Sequence, residues 1–293
     1  GARVAGRQDR LTTQFGDLAD LAREASFVAE EDGAGPVRAP HVVTALRRRA
    51  QRHDLVRELA ERDFAEGYLL LRTGGRAIGQ VNGLTVLDTG NLVFGKPCRI
   101  SAATGAAEGI ASGVINIERE ADLSGALHDK GVLILEGFLL DHFGSDGPIR
   151  LRATICFEQT YSGVDGDSAS SAELIALLSS LARVPVDQGI AITGSINQKG
   201  DMQAVGSVNE KIEGFFRLCR ARRLTGHQGV VIPRANVPDL MLEPEVVEAA
   251  RAGKFHVWAV DTVTEALEVL TGEPAGEVLA KCGQSLQRFR VGR

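Results

Sequence analysis

The sequence predicts a mixed α/β fold preceded by a small all-α module, and three patterns carry that prediction. Apolar residues recur at helical spacing from Phe15 to about Ala65, and the texture turns Gly-rich and strand-like after about Gly67. From Ile149 onward, period-two alternation exchanges with helical periodicity. Strands alternating with helices pack as a sheet covered by helices, and the change of texture puts a boundary near Glu66. The 293 residues, 44% hydrophobic and 24% charged, allow one large domain or two smaller ones and argue against a disordered chain.

In chain order, Leu18, Leu21, Ala22 and Ala25 fall at i, i+3, i+4 and i+7 and predict a first helix. A second run begins after Pro40, a residue suited to a first helical turn because its missing N–H would have no partner there. Between them, EEDGAGPVRAP has the Gly and Pro of a connecting loop. In AIGQVNGLTVLDTG, Asn82-Gly83 between apolar residues predicts a hairpin turn. IRLRATICFE alternates strictly, with Ile149, Leu151, Ala153, Ile155 and Phe157 on one face, and predicts a half-buried strand. It runs through the loop QTYSGVDGD into SASSAELIALLSSLARV, where Ala172, Ile175, Leu178 and Ala182 predict a helix. A short strand (GIAIT), a turn at Lys199-Gly200, a helix around VNEKIEGFFRLCRARR and the strands GVVIP and FHVWAV follow. TVTEALEVLTG opens on a capping box, Thr262 with Glu265, and stops at Gly272.

Bulk properties narrow the function. A net charge of -5 makes no basic field, so composition gives no support to nucleic-acid binding. No run approaches the ~18 apolar residues of a membrane span, and the basic N-terminus GARVAGRQDR lacks the apolar stretch of a signal peptide. Cys98, Cys156, Cys219 and Cys282 are scattered without CxxC spacing, which fits a reducing cytoplasm and suggests neither a disulfide framework nor a metal site. The chain does not begin with Met, as expected for a piece of a longer protein. GNLVFGKP, Gly90 to Pro97, follows the phosphate-loop pattern GxxxxGK[ST] for seven positions and fails at the eighth. Pro97 has neither a hydroxyl for Mg²⁺ nor an N–H for a phosphate, so the segment reads as a Gly-rich turn beside a strand.

Two residues invite a catalytic reading. Ser168 in GDSASSAE sits where a loop enters a helix, a position that capping serines often occupy. Gly163, Gly166 and the small residues Ala169 to Ala172 leave room for a substrate, and N–H groups around Asp167, Ser168 and Ala169 are a candidate oxyanion hole. No histidine stands in a motif with Ser168, although triad partners can come from distant segments. Lys211, in GSVNEKIEGFF, is the better base: Val208, Ile212, Phe215 and Phe216 could bury its stem and lower its pKa. Its bland alternative is a solvated lysine paired with Glu210 or Glu213.

From Phe157 to Gly272 the chain resembles the Lon protease family, especially its B-type branch. TYSGVDGDSAS is similar to that branch's nucleophile loop and places the family's catalytic serine on Ser168. GIAITGSINQKGDMQAVGSVNEKIEGF is similar to the stretch bearing the catalytic lysine, which falls on Lys211, 43 residues later as in the family. Thr193 matches a threonine close to that lysine, and GVVIPRANV resembles the strand and loop that follow. Asp167 precedes the serine and Ser170 follows it as in the B-type branch, unlike the Gly-Pro-Ala-Gly-like neighbours of the main branch. Where many relatives have Thr-Gly-Glu, this chain has Thr193-Gly194-Ser195, so no role of that glutamate carries over. Asp165 and Asp167 are read as loop-shaping residues or contacts of Lys211, with Asp165 preferred as a turn residue. RQDRLTTQFGDLADLAREA is similar to the helical lid of an AAA+ ATPase, which would bring Arg7 or Arg10 toward a nucleotide-sensing position. Between residues 69 and 148, VNGLTVLD, FGKPCRI, NIERE and HDKGVLILEGFL resemble B-type relatives.

The resemblance implies a lid over residues 1–66 and a Lon proteolytic domain of ribosomal protein S5 domain 2-like fold over residues 67–293. It implies a serine endopeptidase with Ser168 and Lys211 as dyad and Thr193 and Asp167 in support. The longer protein would form a ring, commonly a hexamer, in which ATP and Mg²⁺ drive the unfolding of damaged proteins. No cofactor is expected in this stretch, which has no Walker motif. Rival readings are a non-proteolytic scaffold on the same fold and a small-substrate esterase or amidase, for which no GxSxG elbow is present.

Overall fold

The computed structural model describes residues 7–107 and 112–291, so the outer ends of the two expected parts, 1–6 and 292–293, lie outside the described residues. Helices α1 (Phe15–Glu31), α2 (Ala39–Arg52) and α3 (Leu55–Ala65) come first. Pro40 lies in the first turn of α2. α1 and α2 pack through Ala25, Val28 and Ala45 with Leu21 and Val42 alongside; Ala22, expected on this face, is exposed. Both Arg49 and Arg52 reach across to Glu24.

The strands are β1 (Arg76–Ala77), β2 (Gln80–Asp88), β3 (Val93–Ala106), β4 (Gly113–Asn116), β5 (Leu151–Phe157), β6 (Val186–Asp187), β7 (Ile190–Ile192), β8 (Ser195–Ile196), β9 (Met202–Gln203), β10 (Gly229–Pro233) and β11 (His256–Val260). Seven of them form one mixed sheet in the order β11-β10-β7-β2-β3-β5-β4. β2, β7, β10 and β11 are mutually parallel neighbours, and β3 runs antiparallel to both β2 and β5. The remaining helices are α4 (Ile117–Glu120), α5 (Ala126–Phe143), α6 (Ser170–Ala182), α7 (Val208–Ala221), α8 (Pro244–Arg251), α9 (Val263–Thr271) and α10 (Ala275–Val291). The capping box is partly as expected: the Thr262 hydroxyl accepts from the Glu265 N–H, and α9 ends at Gly272 in the left-handed region.

One expectation fails. Asn82-Gly83 is no hairpin turn but the interior of β2, and the turn falls at residues 89–92, where Asp88 pairs with Val93. Two long-range demands override the local turn preference. The buried Asn82 amide donates to the carbonyls of Arg72 and Gln188, and a Cβ on Gly83 would come within 2.6 Å of Ile100. The GNLVFGKP segment contributes Gly90, with positive φ, Asn91 and Leu92 to that turn and lays Val93 to Pro97 into β3. Strand pairing with β2 engages its backbone, which is no cradle for a phosphate.

Alternation along the central strands sends successive residues to opposite faces. Val81, Ile190, Ile192 and Val231 join one core, with α6, α9 and α10; Leu84, Ala191, Val230 and Ile232 join the other, with α7. All thirteen residues of α6 are buried, not one stripe of it, because α10 covers the side that the sheet does not. Against β3, α7 lies backbone to backbone. A Cβ on Gly214 would overlap the Gly95 carbonyl, and one on Gly95 would come 2.8 Å from the Lys211 Cα.

That seam makes Gly214→Ala a test of the packing. The added methyl has to separate α7 from β3, with a loss of about 1–3 kcal/mol, read as a lower urea midpoint at unchanged slope. Gly206→Ala, whose Cβ meets nothing within 4 Å, is the control and should move the midpoint little.

Candidate active site

Ser168 lies between β5 and α6 on a loop pinned from outside. Val164 N–H donates to Leu123 O and Gly125 N–H to Val164 O, each at 2.8 Å. Gly166 takes a positive φ of 88°, which a side chain would resist. The Ser168 carbonyl accepts from Gly194 N–H at 2.9 Å and from the Thr193 hydroxyl at 3.1 Å. The nucleophile candidate is thus held by its backbone and its Oγ is left to turn.

Lys211 comes from the other face of the sheet, in the first turn of α7. Val208, Ile212, Phe215 and Phe216 of this helix are buried, and Lys211 itself is only 2% exposed. Its Nζ donates to Ser168 Oγ at 2.9 Å and to Thr193 Oγ1 at 3.2 Å. Thr193, just past β7, therefore gives its one hydrogen to the Ser168 carbonyl and offers a lone pair to Lys211. Burial pulls the Lys211 pKa down to about 8, against Cys98 and Asp167, which push it up. The pairing of Lys211 with Glu210 or Glu213 is not what forms: the Glu213 carboxylate accepts from the Glu243 N–H.

Asp167 adjoins Ser168 but turns to Ser195, whose hydroxyl donates to its Oδ2 at 2.8 Å. Asp165 is exposed and packs against Gly125, as a loop-shaping residue does. The N–H groups of Asp167, Ser168 and Ala169 reach no acceptor among the described residues, and they precede the first turn of α6. The cleft over Ser168 and Lys211 is walled by Thr85, Val86 and Leu87 of β2, by Lys96, Cys98 and Phe157, and by residues 162–166. Among the described residues no histidine lines it. Arg7 is paired with Asp9 at 3.0 Å, and Arg10 is exposed.

A hydroxyl held against a buried, pKa-lowered amine, beside unengaged N–H groups, is the geometry that a hydrolase of the serine–lysine class requires. Comparison with known proteins gives the family. Residues 1–52 match the family model of the archaeal LonB AAA+ ATPase lid domain, and residues 159–272 that of the Lon protease (S16) C-terminal proteolytic domain. The chain is 47% identical over 271 residues to a putative Lon protease homolog of Escherichia coli K12, covering 92% of this chain and 45% of that protein. A putative Lon protease homolog of Haemophilus influenzae is 35% identical over 87% of this chain and 42% of its own length. The archaeal Lon protease of Archaeoglobus fulgidus is 32% identical over 91% of this chain and 40% of its own. The chain belongs to the Lon protease family, and it spans less than half the length of these relatives.

Sequence reasoning did not assign Lys96, Cys98 or Phe157 to the cleft, nor Ser195 to Asp167. Lys96 and Cys98 lie in FGKPCRI, whose resemblance to B-type relatives assigned no role, and Phe157 was read only as a strand residue.

Thr193 is the testable hinge of this arrangement. Thr193→Val removes a donor to the Ser168 carbonyl and an acceptor for Lys211. Acylation of Ser168 by a fluorophosphonate probe is expected to slow by about tenfold or more, while the urea midpoint stays near that of the parent.

Proposed function

We propose that this chain is the proteolytic part of an ATP-dependent Lon-type serine protease, with Ser168 as nucleophile and Lys211 as general base. The observation that carries the reading is the 2.9 Å contact between Ser168 Oγ and the buried Lys211 Nζ. Neutral Lys211 takes the Ser168 proton, the alkoxide attacks the scissile carbonyl, and the resulting ammonium protonates the leaving amine. Water repeats the sequence to release the acyl group. The N–H groups of Asp167, Ser168 and Ala169 would hold the oxyanion, at about 3–4 kcal/mol for a donor. Thr193 orients the amine and the Ser168 backbone. Asp167, engaged by Ser195, shapes the loop.

The division into a lid over residues 1–66 and a proteolytic domain over residues 67–293 belongs to the same reading, supported by the two family matches. In the longer protein, ATP and Mg²⁺ would power an unfolding motor, a hexameric ring would enclose the sites, and unfolded or damaged proteins would be the substrates. No helix among the described residues is long and apolar enough to cross a membrane. The free thiols of Cys98, Cys156, Cys219 and Cys282 support a cytoplasmic setting.

Fluorophosphonate labelling with site identification tests the dyad: modification confined to Ser168 and lost in Ser168→Ala and Lys211→Ala supports it, and labelling that survives Ser168→Ala overturns it. The pH profile is a second check. The base works only when neutral, so peptide hydrolysis is expected to rise with pH through a midpoint near 8 and then level off. A maximum below neutrality would contradict Lys211 as base.

A further inference from the structure

Hydrogen bonds zip the chain after β7 onto the nucleophile loop. Gly194 N–H donates to the Ser168 carbonyl at 2.9 Å, and Ser171 N–H donates to the Gly194 carbonyl at 3.1 Å. The Ile196 N–H donates to Ser170 Oγ at 3.1 Å. Ser195 lies within this seam and in β8, where it pairs with Gln203 of β9. Only 3% of it is exposed, so its hydroxyl has the protein, not water, for partners. Asp167 Oδ2 stands 2.8 Å from that hydroxyl and Gln203 Oε1 3.2 Å. A hydroxyl has one hydrogen to give, and the nearer, carboxylate acceptor takes it.

What Ser195 holds is the acid best placed to reach the base. Asp167 and Ser168 are consecutive, with Cα atoms about 3.8 Å apart, and Ser168 Oγ is 2.9 Å from Lys211 Nζ. A carboxylate on so near a backbone comes within reach of the amine by turning about its own side-chain bonds. In the structure the amine turns to the Ser168 and Thr193 hydroxyls instead. Burial is the largest influence on it and lowers its pKa; Cys98 and then Asp167, even from where it is held, push the other way. The other titratable groups around the site are placed differently. Lys96, Cys98 and Asp165 line the same cleft, and Asp165 packs against Gly125. Glu210 and Glu213 flank Lys211 on α7, and Glu213 accepts from the Glu243 N–H. From α5 and α6, His128 and Glu173 face each other at 3.7 Å, with Asn116 Nδ2 2.7 Å from the ring.

We infer that Ser195 is a positioning residue for the base: its hydroxyl keeps the Asp167 carboxylate on β8 and off the Lys211 amine, and so sets the pH range in which the dyad works. The inference rests on the reading of Ser168 as nucleophile and Lys211 as base. Without the hydroxyl, the carboxylate loses its donor while the ammonium nearby offers another. An anion at hydrogen-bonding distance favours the charged amine. A larger share of Lys211 then stays protonated near neutral pH, and fewer molecules hold a working base. The bonds along the seam do not involve the Ser195 side chain, so Ser195→Ala leaves them in place.

The pH dependence of Ser168 acylation by a fluorophosphonate probe, on the whole 293-residue chain, decides it. In Ser195→Ala the midpoint should rise by about one unit, with a rate near pH 7 about tenfold lower and an alkaline plateau close to that of the parent. Ser195→Cys, which keeps the shape and weakens the donor, should move the midpoint the same way by less. Asp167→Asn should not raise it. The double variant, Ser195→Ala with Asp167→Asn, should match Asp167→Asn alone, because no anion is left to release. An unmoved or lowered midpoint in either Ser195 variant, a rise that persists in the double variant, or a fall in the plateau alone, as a merely structural role would give, overturns the inference. Failure of the dyad would appear separately, as labelling that survives Ser168→Ala or is undiminished in Lys211→Ala.

Discussion

Removing water from the Lys211 amine is the constraint on which the rest of this architecture depends. A lysine free in solution holds its proton until about pH 10.4 and is no base near neutrality. Here Lys211 is buried in the first turn of α7, and α7 is drawn onto β3 until only glycines fit between them. A carboxylate paired with the amine would undo that effect by favouring the ammonium. The nearest acid in sequence to Ser168, Asp167, is instead turned to Ser195. Ser195 stands where many relatives of the resemblance carry a glutamate, so this position now has a neutral partner for the loop.

Ser168 and Lys211 arrive from opposite faces of one sheet, and they meet where the sheet ends. β7 is three residues long, and the chain beyond it supplies the meeting point: Thr193 touches both partners and Gly194 holds the Ser168 backbone. Sites at the carboxyl ends of parallel strands are a general consequence of this geometry. Strand shortness here is thus tied to chemistry, because a longer β7 would carry Thr193 past Ser168.

Much of this was legible in the sequence, and the boundary of legibility is physical. Ser168 and Lys211 each sit in a contiguous stretch whose character is local, so the loop, the helix start and the apolar wall could be read directly. The two-residue pattern Asn82-Gly83 misled because a turn glycine and a strand glycine beneath Ile100 look alike without the partner strand. Helical spacing in α6 showed one apolar face, but the burial of its serines needed knowledge of where α10 packs. Asn116, His128 and Glu173 come from three segments with no shared period, so only the folded chain brings them together.

The helix carrying Lys211 is gripped at its far end. Arg217 meets Glu61 of α3, and Arg222, just beyond the last turn, donates to the Phe64 carbonyl of the same helix. Fourteen residues of α-helix make a stiff rod of about 21 Å. The amine lies near one end of this rod and α3 at the other. Held by α3 at that end and by the glycine seam with β3 along its length, the rod fixes where the amine stands.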